Sequence, residues 1–374
     1  AANWYLEDGS VTVNADNSRQ TVTQGSTSTP DEAPVITQRN SSAETSNTIT
    51  VNAAENATAN VTISDVNIKT RNAAVSTNGK GNVNIELDGT NTLKSRVDHA
   101  ALEKNSDGNQ GKLTITDENE NGKLIATGGD GAAGIGGGLY AGGNDITITG
   151  GEITATGGDS GAGIGGGASA GGKNITIAGG KVTATGGLGA AGIGGGFYGD
   201  GEKITVSGDA ALKVQGGPAD TRDGAGAGIG NGGSHNGDYP EYIPVNGAET
   251  EPDTSNLTTG KIEYYAPGAD MTKDEPTSTT LGSGQPEPVS PGETAAPVEY
   301  RMQSSASEPV QGNGKSTGYK APVQGHFYQV VGQDGKAMIF ATAQKKDVLA
   351  IATDSDFAML TGKMEDIEAL RKQG

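Results

Sequence analysis

Residues 128–167 read GGDGAAGIGGGLYAGGNDITITGGEITATGGDSGAGIGGG, and the AGIGGG that ends this stretch at Ala162–Gly167 also occurs at Ala133–Gly138. It returns at Ala191–Gly196, so both intervals are 29 residues. The flanks keep the same step: ITITG starts at Ile146, ITIAG at Ile175 and ITVSG at Ile204. A fixed period of this size is the mark of a solenoid, in which each repeat is one winding of the chain. Within a repeat, short alternating segments are separated by glycine-rich corners. Alternation places residues two apart on one face. One coil then points inward Ile146 and Ile148, Ile153 and Ala155, Ala162 and Ile164. The next points inward Ile175 and Ile177, Val182 and Ala184, Ala191 and Ile193. Three faces per turn predict a triangular cross-section.

Working outward, the same pattern continues upstream without the glycines. Leu113 and Ile115, Leu124 and Ala126, Ala133 and Ile135 form one coil; Val83 and Ile85, Leu93, Ala100 and Leu102 form another. Val61 and Ile63, Val66 and Ile68, Ala73 and Val75 form a third. Downstream come Ile204 and Val206, Leu212 and Val214, Ala227 and Ile229. Six coils are marked in this way, and Ile49 with Val51 opens a seventh. Stacked coils repeat at roughly 4.8 Å, so equivalent positions form ladders. Lys123, Glu152 and Lys181 fall in one ladder with alternating sign, as neighbouring charges require.

The solenoid is expected over residues 46–240, preceded by a capping region at 1–45. There Trp4-Tyr5-Leu6, Asp8-Gly9 and the alternating Val11 and Val13 suit a hairpin that covers the open end. Residues 241–322 read as an irregular excursion, with 11 of the 14 prolines lying between Pro240 and Pro322, interrupted by a strand at Lys261–Tyr265 that pairs with the last coil. Residues 323–374 read as a small α+β module. In it Phe327–Val331 and Ala337–Ala341 form a hairpin around Asp334-Gly335, Val348–Ala352 and Phe357–Leu360 add strands, and Met364, Ile367 and Leu370 mark a terminal helix.

Composition supports this architecture and narrows the function. Forty-two of the 63 glycines lie between residues 121 and 240, and aromatics make up only 4%. Thin coils can be filled by Ala, Val and Ile, whereas a spherical core needs larger side chains. The net charge of -19 argues against nucleic acid and anionic membranes as partners, because both require a positive surface. The absence of cysteine excludes disulfides and thiolate metal sites. No apolar run reaches membrane-spanning length, and an exported chain is expected to have lost its signal.

Several chemistries compete with ordinary structural roles for the polar residues. Glycoside hydrolysis needs paired carboxylates and pectin lyases need a basic residue beside acidic calcium ligands. Arg71 and Arg96 share no ladder with an acidic cluster, and His99, His235 and His326 lack metal-ligand spacing. The chain is therefore expected not to be an enzyme. Asp117, Asn119 and Asn121, with Gly122, match the first half of a calcium loop, but Gly128 stands where the bidentate glutamate belongs. Asp130 over Asp159 is a second candidate metal position; an ordinary polar turn is the preferred reading of the loop, and carboxylates pointing into solvent that of the pair. For glycan binding, Tyr140 and Tyr198 stand two coils apart on one edge, roughly 10 Å, and His235, Tyr239 and Tyr242 extend it. Rings that simply cover a corner are the structural alternative. The Thr154, Thr156, Thr183 and Thr185 array is two coils deep, too short for an ice-binding face and explained by β-propensity. The GIGGG runs lack a following Lys-Ser/Thr and precede no helix, so they are corners, not phosphate loops.

Gly128–Gly138, with DHAALEKN at Asp98–Asn105, resembles secreted β-helical proteins of Gram-positive gut anaerobes, a group of carbohydrate-binding-domain or adhesin-like surface proteins. The resemblance covers about residues 1–235. It implies export, display at the cell surface and binding of an acidic polysaccharide with calcium. The resulting expectation is an all-β, right-handed parallel β-helix with a small C-terminal α+β module. Its function would be non-catalytic attachment to a polysaccharide or host-surface glycan. A β-helical polysaccharide lyase or hydrolase and a structural spacer are the alternatives.

Overall fold

The computed structural model describes residues 2–106, 111–238 and 240–284. Beyond them it describes the short strands Gln311–Gly312, Lys315–Ser316, Tyr328–Val331, Ala341–Lys345, Val348–Ala352 and Met359–Gly362. The chain divides into two compact units, Ala1–Gly282 and Ser283–Gly374.

The first unit is a right-handed parallel β-solenoid built on three sheets. Its first face stacks eight strands, all parallel, from Asn3–Tyr5 through Asn82–Asp88 to Gly201–Val206. The second face runs from Asn67–Thr70 through Glu152–Thr156 to Ala211–Gln215, and the third from Val11–Ala15 to Ile229–Gly230. Ile135 pairs with Ile164 and Ile164 with Ile193, so the 29-residue recurrence is one winding of the backbone. Extended in both directions, the column reads Val11, Ile49, Val75, Leu102, Ile135, Ile164, Ile193 and Ile229, every one fully buried. The period is exact only among the glycine coils. Val75 pairs with Leu102, 27 residues on, and Ile193 with Ile229, 36 residues on, because corners absorb length differences while strands hold register.

The glycine corners have a steric cause. Gly136, Gly165, Gly194 and Gly230 all have φ between +132 and +139. A Cβ on Gly165 would sit 2.0 Å from the carbonyl oxygen of Gly194 in the next coil. Only glycine satisfies both the backbone angle and this close approach.

The N-terminal end differs from expectation. Asn3–Tyr5 joins the first face beside Val35–Thr37, and the hairpin forms between Val11–Ala15 and Gln20–Gln24. Val13 has to fill the core column beneath Val51, which places its strand in the third face and leaves the hairpin to the polar strand that follows. Ile49–Ala53 likewise closes a coil on the third face, after Val35–Thr37 on the first, instead of opening one. Carboxamides cover exposed edges. Gln20 donates from Nε2 to the carbonyl of Asn60 at 2.9 Å and accepts the Asn60 N–H at 2.8 Å, as a paired strand would.

At the other end, Lys261–Tyr265 pairs parallel with Ala211–Gln215, and Ser278–Leu281 adds an antiparallel edge. Glu249 closes the third face, its carboxylate accepting the N–H groups of Gly228 at 2.6 Å and Ile229 at 3.0 Å.

In the second unit, Tyr328–Val331 pairs with Met359–Gly362 and Ala341–Lys345 with Val348–Ala352. This corrects the hairpin expected between 327–331 and 337–341. The tight ladder forms across the shorter connection after Lys345. The terminal helix at Met364–Leu370 lies outside the described residues.

Candidate functional site

The corner after each AGIGGG repeats one turn, with Tyr140, Ser169 and Tyr198 in left-handed backbone at φ 59, 58 and 62. The residues just before them fold back over the coil. A Cβ on Gly131 would meet the Leu139 side chain, and one on Gly189 would meet the Phe197 ring. The rings that follow therefore point outward, and Tyr140 is 69% exposed and Tyr198 46%. Ser169 leaves a gap between them, two coil spacings or roughly 10 Å wide.

Tyr198 belongs to a cluster. Its ring is 4.5 Å from Phe197 and 5.3 Å from His235, both edge-on, and His235 is 4.3 Å from Tyr242. The Tyr198 hydroxyl donates to the His235 carbonyl oxygen at 3.3 Å. The His235 ring is held from behind, Nδ1 lying 2.7 Å from Asp223 Oδ1. Tyr140 shares the edge but makes no ring contact among the described residues, and Tyr239 lies outside the described residues. Asp223 was not foreseen in the sequence. It sits in the 217–226 stretch that lengthens this coil from 29 to 36 residues, and that extra length was its one available signal.

The expected metal donors serve the backbone. Asp117 Oδ1 accepts the N–H groups of Asn121 at 3.1 Å and Gly122 at 3.0 Å, and Asn121 Nδ2 donates to Asp88 at 2.8 Å. Asn119 is exposed at the tip of this turn. Asp130 and Asp159 occupy equivalent positions on successive coils and both face solvent. Among the described residues no three acidic or histidine side chains gather around one point.

The second histidine is also structural in its contacts. His99 Nδ1 lies 2.9 Å from Glu103, whose carboxylate accepts from the Ala100 N–H and Asn105 Nδ2. The second face alternates in charge, with Lys123 paired to Glu152 at 3.2 Å and Glu152 in register with Lys181.

A family model described as a beta helix repeat matches residues 120–139, 146–168 and 175–197, the coils that carry the tyrosine corner. No curated protein and no solved structure matches the chain. Fold and match together support a β-helix repeat fold. Among the described residues no helix is long and apolar enough to cross a membrane.

Proposed function

We propose that this protein is a non-catalytic, extracellular surface protein that binds a polysaccharide or cell-surface glycan along its tyrosine corner. One observation carries the reading: Tyr140 and Tyr198 occupy left-handed backbone positions where glycine would be free of strain, yet both present exposed rings. A bulky residue at positive φ costs roughly 1–2 kcal/mol, so these rings stand against backbone preference. Outliers of that kind concentrate where ligands are held. The Ser169 gap gives a sugar ring room between two aromatic faces, and Ser169, Asp223 and His235 supply polar groups at the edge. Tyrosine suits this role because its ring packs on apolar sugar faces, and at Tyr198 the hydroxyl is tied back to the His235 carbonyl, which holds the ring in place.

The experiment is retention on an array of neutral and acidic glycans, in calcium and in chelator. Wild-type retention that falls at least tenfold in Tyr198→Ala and Tyr140→Gly supports the corner as the binding surface. No retention on any glycan would favour a spacer. Release of reducing ends or unsaturated uronates from pectin would overturn the non-catalytic reading and favour a polysaccharide-degrading enzyme.

A further inference from the structure

A groove of ≈ 560 Å³ opens at the C-terminal end of the solenoid, lined among others by Glu249, Glu251, Pro252, Tyr264 and Pro267. Its ring belongs to the core's last layer. Tyr264 stands directly over Val214 in the strand register and packs, half-buried, against the hydrophobic column. Tyr264 and Glu249 both converge on Gly228, where an added Cβ would meet the tyrosine ring at 3.0 Å and Glu249 Oε1 at 3.3 Å. Glu249 cannot swing away, because its two oxygens are fixed by the Gly228 and Ile229 N–H groups. Glu251 is exposed on the rim, and no lysine, arginine or histidine is among the lining residues. Burial first, and then the neighbouring Glu249 and Glu251, push the Tyr264 hydroxyl up to about 12.

The adjacent ring shows how this end treats cations. Lys213 Nζ lies 5.7 Å over the Tyr265 centroid and donates to the Met271 carbonyl, so that ring already carries an internal ammonium. Tyr264 faces the groove with two carboxylates beside it. We propose that the groove is a binding site for an organic cation, a primary or quaternary ammonium on an apolar stem. The stem would lie on Tyr264, Pro252 and Pro267 and the charge would sit between Glu249 and Glu251. An aromatic face and carboxylates in a partly desolvated hollow are what such a group needs. This site stands apart from the tyrosine corner and does not depend on glycan binding.

Titration of the full chain with hexyltrimethylammonium, hexanol and hexanoate, followed by calorimetry, tests the assignment. The ammonium is expected to bind at least tenfold more tightly than either control. Glu251→Gln should weaken it about fivefold, whereas Glu118→Gln, which removes the same charge elsewhere, should leave it unchanged. Tyr264→Phe should retain binding and Tyr264→Leu lose it, while Tyr198→Ala should have no effect. Equal binding of hexanol, or equal losses in Glu251→Gln and Glu118→Gln, would overturn the proposal, the second outcome meaning diffuse attraction to an acidic protein.

Discussion

At the scale of single residues, two kinds of positive-φ position make opposite demands. At Gly165 the angle of +136 combines with a carbonyl 2.0 Å from where a Cβ would stand, and neither the sheet nor the next coil can retreat. Gly165→Ala is therefore expected to lose about 3 kcal/mol or more in denaturant unfolding. Gly9→Ala, at φ +126 with nothing within 4 Å, should lose only the backbone contribution of about 1 kcal/mol. Tyr140 is the reverse case. Its ring is exposed, so Tyr140→Gly should leave stability unchanged or raise it by about 1 kcal/mol while glycan retention falls. Loss of stability with retained binding would show that the ring is packing, not recognition.

At the scale of elements, the closing strand Lys261–Tyr265 links stability to pH. The Tyr264 hydroxyl sits at about 12 in the folded protein against 10.0 ordinarily. A raised pKa means that the folded state holds its proton longer, so the stabilisation is complete below pH 10 and is lost as pH rises toward 12. After allowance for the half-open groove the loss should be about 1 kcal/mol. Melting temperatures measured from pH 9 to 12 should fall more steeply in the wild type than in Tyr264→Phe. Asn91 is the element-scale counterpart in the core. Fully buried, it accepts the Val66 N–H and donates to the carbonyls of Asp88 and Lys123, tying three coils at one corner. Asn91→Leu should cost about 2–3 kcal/mol in denaturant unfolding, since it strands buried backbone groups. The strands themselves were legible in the sequence because Ile, Val and Ala alternate with period two and pile up every 29 residues. The ladders Lys123–Glu152–Lys181 and Ile135–Ile164–Ile193 follow directly from that. The ends were less legible. There the pattern gives way to side chains imitating backbone, and neither Gln20 nor Glu249 differs in sequence from an ordinary polar residue. The candidate site was half legible for the same reason. Tyr140 and Tyr198 are fixed by the repeat and Tyr264 by the strand Lys261–Tyr265, whereas Asp223 and Glu249 meet their neighbours only through irregular segments whose course no periodicity dictates.

At the scale of the whole molecule, a solenoid is a one-dimensional stack, so its stability depends on the number of interfaces between coils and on how its two ends are closed. An open end would leave a row of unpaired N–H and C=O groups and an uncovered apolar column, which invites pairing with another chain. Here both closures come from within Ala1–Gly282: Gln20 and the Gln20–Gln24 hairpin at one end, Glu249 with Lys261–Tyr265 and Ser278–Leu281 at the other. Residues 1–282 should therefore fold alone, as a monomer with a cooperative transition within a few degrees of the full chain. A fragment ending at residue 240 keeps the repeat coils but lacks Glu249 and the closing strands. It should expose the Gly228 and Ile229 N–H groups together with Val214, and associate end to end. Circular dichroism and sedimentation of the two fragments decide the matter. If 1–240 remained monomeric and as stable as 1–282, the proline-rich excursion would be an appendage, and closure of the stack would have to reside in the coils themselves.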